Sequence, residues 1–253
     1  MNVTSVNSGM SSVYSKLSSG KRINSAADDA SGLAIANKMK KEETGFRVGA
    51  ENAKDGMGAL NIADGAMDGI MDYLQRMREL ALRSMNGINS DSDKKTYQAE
   101  IDQLKEGIQS IAKNTSFNEQ KLLDGSMADM HIATNPSGGG LEIGMANSTL
   151  DALGIADFDV TRGNFSLDAI DNAMKKLSEQ RSTVGAYTNR LQHTYNYNTS
   201  SHLEQLSSRS RLEDLDMPQA ISEKKKEELL RDYRNLMLRN QMDEKSNVLR
   251  LFH

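Results

Sequence analysis

The 253-residue chain contains no cysteine, no tryptophan, only two prolines and few rings, five Phe and seven Tyr. Absence of cysteine excludes disulfides and thiol chemistry. With large rings scarce, packing has to rest on Ala, Leu, Ile and the 15 Met. Pro136 and Pro218 interrupt so little of the chain that very long helices are permitted. Hydrophobic residues make up 37%, low for one large globular core, and a thin helical body fits that composition better. Positive charge is not in excess. A formal net charge of −4, with 26% charged residues, supplies no basic field, so neither nucleic acid nor a membrane is expected as a partner. No stretch approaches the roughly 20 apolar residues of a membrane span, and the N-terminus lacks the apolar centre of a cleaved signal. Catalytic patterns are missing as well: His131, His193, His202 and His253 are scattered, and no HExxH, GxSxG, GxGxxG or phosphate-loop pattern occurs. No enzymatic activity, metal or cofactor is expected.

What is present is helical periodicity. Val3, Val6, Met10, Val13 and Leu17 fall three and four apart and share one stripe of a short helix. A linker over 18–31 follows, with Gly20 and Gly32 as breakers and Asp28 and Asp29 placed where negative charge favours a helix start. Phe46, Gly49, Ala53, Gly56, Leu60, Ala63, Met67, Ile70, Leu74, Met77 and Ala81 then keep a three-four alternation over five heptads, a coiled-coil-like seam. Glycine costs a helix roughly 0.5–1 kcal/mol relative to Ala, and close approach of a neighbouring helix at Gly49 and Gly56 is the expected compensation. Met57, Met67, Met71, Met77 and Met85 lie on or beside this seam and read as core in preference to an adaptable groove.

Residues 86–91 read as a turn, with Ser90 or Ser92 capping a second helix whose Tyr97, Ile101, Leu104, Ile108 and Ile111 face one side and fold back antiparallel. Between 117 and 165 the period changes. Met130, Ile132 and Thr134 alternate with His131 and Ala133, a turn spans 136–140, and Leu141 and Ile143 begin a second alternating run, predicting a β-hairpin. A further helix carries Leu167, Ile170, Met174, Leu177, Val184 and Leu191, its stripe interrupted by Arg181 and Thr188. The last predicted helix places Leu229, Leu230, Tyr233, Leu236 and Met237 on one side and is expected to bury that face.

Particular runs carry a resemblance. Residues 17–40 read LSSGKRINSAADDASGLAIANKMK, followed by QRMRELA at 75–81, Asn86-Gly87 and NTSFN at 114–118. Gln180-Arg181-Ser182, Val184-Gly185-Ala186, Asn189-Arg190-Leu191 and SRLEDLD at 210–216 follow in order. Together they resemble bacterial flagellin, matching the family's two ends in the family's sequence. The resemblance implies a structural subunit of the flagellar filament, self-assembling into a helical tube for motility, secreted and extracellular. The partners it implies are further copies of the chain, a flagellin export chaperone and the type III export apparatus, the flagellar cap and hook-associated proteins, and the host flagellin-sensing Toll-like receptor. Two other readings stand beside it: a minor or hook–filament junction protein, and a secreted receptor-binding homologue that does not polymerise. Family members commonly insert variable outer domains for which this chain has no room.

The expected fold class is therefore all-α, an elongated antiparallel helical bundle or coiled-coil rod with one small β-hairpin. Its expected divisions are an N-terminal inner helix and linker (1–31), N-terminal rod helices (32–116), an irregular segment with the hairpin (117–165), a C-terminal rod helix (166–216) and a C-terminal inner helix (217–253). The rod seam is assigned to Leu60, Met67, Ile70, Leu74, Met77, Ile101, Leu104 and Ile108. By resemblance, Arg76, Leu80 and Glu100 form the face for receptor contact and lateral packing; their bland reading is a solvated face with one salt bridge. Val3, Val6, Met10, Val13, Leu230, Tyr233 and Met237 are the inner-helix assembly residues. These terminal stripes either pair within one subunit or fold only on assembly, and the marginal stability of short helices favours the second. Sixteen residues precede Leu17, fewer than in typical family members, and 14 of the last 37 residues are charged. Those charges have three possible fates: pairing between subunits, facing an aqueous channel, or lying in a segment that does not pack.

Overall fold

The computed structural model describes residues 3–162 and 165–250, with side chains from 11–162 and 165–245. Its helices are α1 (Val3–Ser19), α2 (Ala30–Ser84), α3 (Asp91–Asn114), α4 (Leu150–Leu153), α5 (Asp168–Glu213) and α6 (Met217–Arg250). Four short strands lie between α3 and α4: β1 (Ser116–Phe117), β2 (Gln120–Lys121), β3 (Asp129–Ala133) and β4 (Gly140–Gly144). The architecture is all-α with small antiparallel hairpins, and it divides into two compact units. One comprises Thr44–His202; the other comprises the described residues up to Glu43 together with those from Leu203 onward.

In the Thr44–His202 unit, α2 supplies a continuous apolar edge. Ala53, Leu60, Ala63, Met67, Ile70, Leu74, Met77 and Ala81 are all within 1% of complete burial, at the three-four spacing that keeps one helix face inward. Ile101 and Ile108 of α3 and Ile170, Leu177 and Leu191 of α5 meet them in the same core. Both neighbours run antiparallel to α2. Arg76 meets Glu100, Tyr73 lies against Gly107, and Ile111 sits beside Gly69, so numbers rise on α3 as they fall on α2. Along α5, Asp171 meets Arg78, Arg181 meets Asp68 and Asp64, and Asn198 lies beside Gly49.

The turn between α2 and α3 ends in a capping box. The Ser90 hydroxyl accepts from Asp93 N–H, and the Asp93 carboxylate accepts from Ser90 N–H at 2.9 Å, satisfying two donors that a helix start leaves open. The hairpin of β3 and β4 pairs Met130 with Ile143 and Ile132 with Leu141, burying Ile132, Leu141 and Ile143. It seats on the glycines of α2. A Cβ on Gly45 would press into Pro136, one on Gly49 into the Thr134 carbonyl, and one on Gly56 into Ile132. The close approach expected at Gly49 and Gly56 is thus made chiefly by the hairpin, with Leu191 of α5 also touching Gly56. Asn52 and Asn198 fix the hairpin by donating to the carbonyls of Ala133 and Thr134, each at 2.8 Å.

The β1–β2 hairpin was not expected. Asn118 and Glu119 form its two-residue turn, both with positive φ (47° and 67°), the geometry of a tight hairpin turn. Gly32 also differs from its expected role as a breaker: it lies inside α2, where its N–H is bonded by Asp29 Oδ1 at 2.8 Å. Asp29 therefore caps α2, and its carboxylate occupies the space a side chain on Gly32 would need.

In the other unit, α1 packs against α6. This is pairing within one subunit, one of the two arrangements weighed for the terminal helices. The linker is tied to the end of α5: Arg22 N–H donates to Glu213 O at 2.7 Å and Leu215 N–H to Gly20 O at 2.9 Å. Gly20, at φ 68°, turns the chain out of α1. Pro218 falls in the first turn of α6, where its missing N–H breaks no helical bond.

Candidate interaction surfaces

Charged faces flank the core on α2. Arg76 donates through Nε and Nη2 to Glu100 Oε1 at 2.8 and 2.7 Å, and through Nη1 to Glu79 at 3.1 Å. Glu100, followed by Glu79, stabilises the charged guanidinium and raises its pKa above the usual arginine value. The cluster is open to solvent, with side-chain exposures of 39% for Arg76 and 42% for Glu100. Leu80 departs from this face. It is 1% exposed and packs in the core beside Leu74, Met77 and Ala81, because four residues on an α-helix overshoot one turn and carry it inward.

Three ion pairs clamp α5 onto α2. Arg78 Nε meets Asp171 at 2.7 Å, and Arg181 spans Asp64 at 2.9 Å and Asp68 at 2.6 Å. Arg181, an interruption in its own helix's apolar stripe, is thereby held as a cation chiefly by Asp64. Of the residues assigned to the seam, Leu60, Met67, Ile70, Leu74, Met77, Ile101 and Ile108 are fully buried, and Leu104 is half-buried.

On the linker, Asp28 collects the N–H groups of Ser25 and Asn24 and the Ser25 hydroxyl, with Lys16 3.5 Å away. Those donors, the Ser25 N–H first, lower its pKa below the ordinary 3.8. Lys21 pairs with Glu213 at 2.5 Å, and Arg209 reaches both Glu43 at 3.0 Å and Glu213 at 3.4 Å. In the sequence Glu43 and Arg209 carry no signal of a role, and Glu213 stands out only within the run SRLEDLD. Opposite charges more than 160 residues apart announce nothing until the chain is folded.

Where α1 meets α6, the Tyr14 hydroxyl donates to Glu228 at 3.1 Å and Lys224 sits 4.8 Å above its ring. Val13 is half-buried; Val3, Val6 and Met10 lie outside the residues whose side chains are described. The rest of α6 contradicts the expectation of a buried face. Leu230, Tyr233 and Met237 are 38, 62 and 46% exposed, and Leu229, Leu236 and Met242 are exposed as well. The spacing marked the stripe correctly, yet α1 covers only part of α6, and among the described residues nothing else covers the remainder.

No group of His, Asp and Glu able to hold a metal occurs among the described residues. Among the described residues no helix is long and apolar enough to cross a membrane. Antiparallel helices clamped by ion pairs, with an apolar stripe left open on α6, define a helical-bundle protein of the structural class. Residues 1–128 match the bacterial flagellin N-terminal helical region and residues 167–252 the bacterial flagellin C-terminal helical region. The chain is 37% identical over 244 residues to a flagellin of Halalkalibacterium halodurans, covering 93% of this chain and 89% of that one. It is 34% identical over 288 residues to a flagellin of Bacillus subtilis, covering 98% and 94%. Among solved structures, Bacillus cereus flagellin superposes with a TM-score of 0.52 at 28% identity, over 58% of this chain and 88% of that one. A putative flagellar hook-associated protein of Vibrio parahaemolyticus shares the fold, with a TM-score of 0.61 at 17% identity over 74% of this chain and all of that one. The chain belongs to the bacterial flagellin family, a structural and non-enzymatic one, and is a structural subunit of the flagellar filament.

Proposed function

We propose that the subunit polymerises into a helical tube by burying the open stripe of α6 against other copies. The observation that carries this is the set of large apolar side chains left exposed along one face of α6, Leu229, Tyr233, Leu236 and Met237. Contiguous apolar surface of this kind marks an interaction site. A head-to-tail contact that does not close on itself generates an open helical polymer, and many repeated weak contacts then yield a stiff filament for a rotary motor to turn. Charges on the same helix, from Glu223 to Lys245, pair between copies or face the tube's water.

Arg76, Glu79 and Glu100 serve on the outer bundle as a lateral packing face, and the same polar surface is the one offered to the flagellin-sensing Toll-like receptor. The chain reaches its place unfolded through the type III export apparatus, with an export chaperone holding the apolar stripe of α6. It is then added beneath the flagellar cap and adjoins hook-associated proteins at the filament base, outside the cell.

Electron microscopy of the purified chain after seeding or salting out tests the assembly. Long tubes are expected. Growth only on existing filaments would make it a minor or junction protein, and no assembly under any condition would make it a soluble module. Tyr233→Asp with Leu236→Asp is expected to abolish tubes while leaving the Thr44–His202 core folded by circular dichroism. For the receptor, Arg76→Ala is expected to weaken binding to the receptor's ectodomain in surface plasmon resonance; unchanged binding would remove Arg76 from that contact.

A further inference from the structure

The turn between α2 and α3 carries a chemically reactive pair of residues. Asn86 is followed by Gly87, and both are exposed. Asn86 Oδ1 lies 3.4 Å from the N–H of Ile88, which donates to it, so the side-chain amide is folded back over its own backbone. Asn86 N–H is bonded to Arg83 O and Asn89 N–H to Asn86 O, each at 3.1 Å, whereas Gly87 N–H makes no hydrogen bond among the described residues. Gly87 has open space where a side chain would stand, so no bulk shields its nitrogen. A donor on Oδ1 draws electron density from Cγ, and the neighbouring amide nitrogen is unshielded and unpaired.

We infer that Asn86-Gly87 is a site of spontaneous backbone-assisted deamidation in the folded subunit. Gly87 N loses its proton to water or hydroxide and bonds to Asn86 Cγ, the Cγ–Nδ2 bond breaks, and Nδ2 departs as ammonia, leaving a five-membered succinimide. Water then opens the ring. Cleavage of the Cγ–N bond yields aspartate, and cleavage of the bond from Gly87 N to the main-chain carbonyl carbon yields isoaspartate. No oxidant or enzyme takes part. Either product adds one negative charge just past the C-terminal end of α2, where the helix macrodipole disfavours it. Isoaspartate also lengthens the main chain between Asn86 and Gly87, inside the turn closed by the Asn86 and Asn89 hydrogen bonds.

Asn89 is the internal control. It is also in the turn, but Ser90 follows it and its Nδ2 is engaged with Arg83 O at 2.5 Å. Trypsin releases both asparagines in the single peptide 84–94. Full-length protein, kept folded in mildly alkaline buffer for days, is digested and sequenced by electron-transfer mass spectrometry, which locates the one-mass-unit gain and separates aspartate from isoaspartate. Conversion is expected at Asn86 in both forms, several-fold faster than at Asn89, and reduced several-fold in Gly87→Ala. That variant keeps the fold, because a Cβ at Gly87 meets nothing within 4 Å and its φ lies outside the left-handed range. If Asn86 stays intact in the folded chain while the isolated peptide converts, the turn protects the site and the inference fails. Equal conversion at Asn86 and Asn89, or no effect of Gly87→Ala, overturns it equally.

Discussion

Arg181 of α5 bridges two carboxylates one turn apart on α2, with Nε 2.9 Å from Asp64 and Nη1 2.6 Å from Asp68. All three side chains remain partly exposed, so solvent screens the attraction and each pair is worth about 0–1 kcal/mol. Arg181→Ala is expected to lower unfolding free energy by about 1 kcal/mol in urea titrations at low salt, with the difference shrinking in molar salt. A loss unchanged by salt would mean that the stem of Arg181, rather than its charge, is what matters.

The glycines of α2 divide into two kinds. A methyl group on Gly49 would press into the Thr134 carbonyl, whereas one on exposed Gly65 meets nothing. Gly49→Ala is expected to lose about 1–3 kcal/mol through overpacking. Gly65→Ala is expected to gain about 0.5–1 kcal/mol from helix propensity alone. Thermal melts of both variants, followed by circular dichroism, check the pair.

The asymmetry between Gly49 and Gly65 also marks what the sequence could and could not disclose. The α2 seam was legible because Leu60, Met67, Leu74 and their neighbours repeat at the helix's own period, a local property. The β3–β4 hairpin was legible because Met130, Ile132, Leu141 and Ile143 alternate around a Pro- and Gly-rich turn. Which element would seat on Gly49 was not, since small size announces close approach without naming the neighbour. The β1–β2 turn was hidden because Glu119 is an uncommon residue at positive φ. Leu80 joins Arg76 only by resemblance; one helix turn is 3.6 residues, and the difference of four between them rotates Leu80 toward the core. For α6 the periodicity identified an apolar stripe correctly, but whether a stripe is covered depends on what else the chain brings to it.

Acid should loosen the cap of α3 and the linker. Asp93, accepting first from the Ser90 hydroxyl and then from Ser90 N–H, and Asp28, accepting from the N–H groups of Ser25 and Asn24, both titrate below the ordinary 3.8. Asp124 and Asp159 are lowered in the same way by the Ser126 and Thr161 hydroxyls. A carboxylate whose folded-state pKa is depressed contributes stability that is fully present above its unfolded value and is lost as pH falls through the folded value. Melting temperature is therefore expected to fall as pH drops below 3.8 toward those lowered values. Asp93→Asn should show a lower melting temperature at neutral pH and a shallower acid decline, measured by calorimetry across that range.

Burial separates two leucines that share the helical pattern. Leu74 is completely buried and Leu104 is half-buried. Leu74→Ala is expected to cost about 2–5 kcal/mol, because lost transfer energy adds to a cavity. Leu104→Ala is expected to cost less, since water already reaches part of its side chain. Chemical denaturation of both variants tests the ordering, and an equal loss would show that Leu104 contributes as much as a fully buried leucine despite its partial exposure.

The hairpin seat has a kinetic meaning. Seven glycines within α2 make it a poor helix by intrinsic propensity, and the stretch from Gly45 to Gly56 is held chiefly by what lies across it. Remove β3 and β4 from that surface and the same stretch has little reason to stay wound. The hairpin and the helix beneath it are therefore expected to open and close together as one cooperative unit, with a shared rate of amide exchange in hydrogen–deuterium exchange measurements.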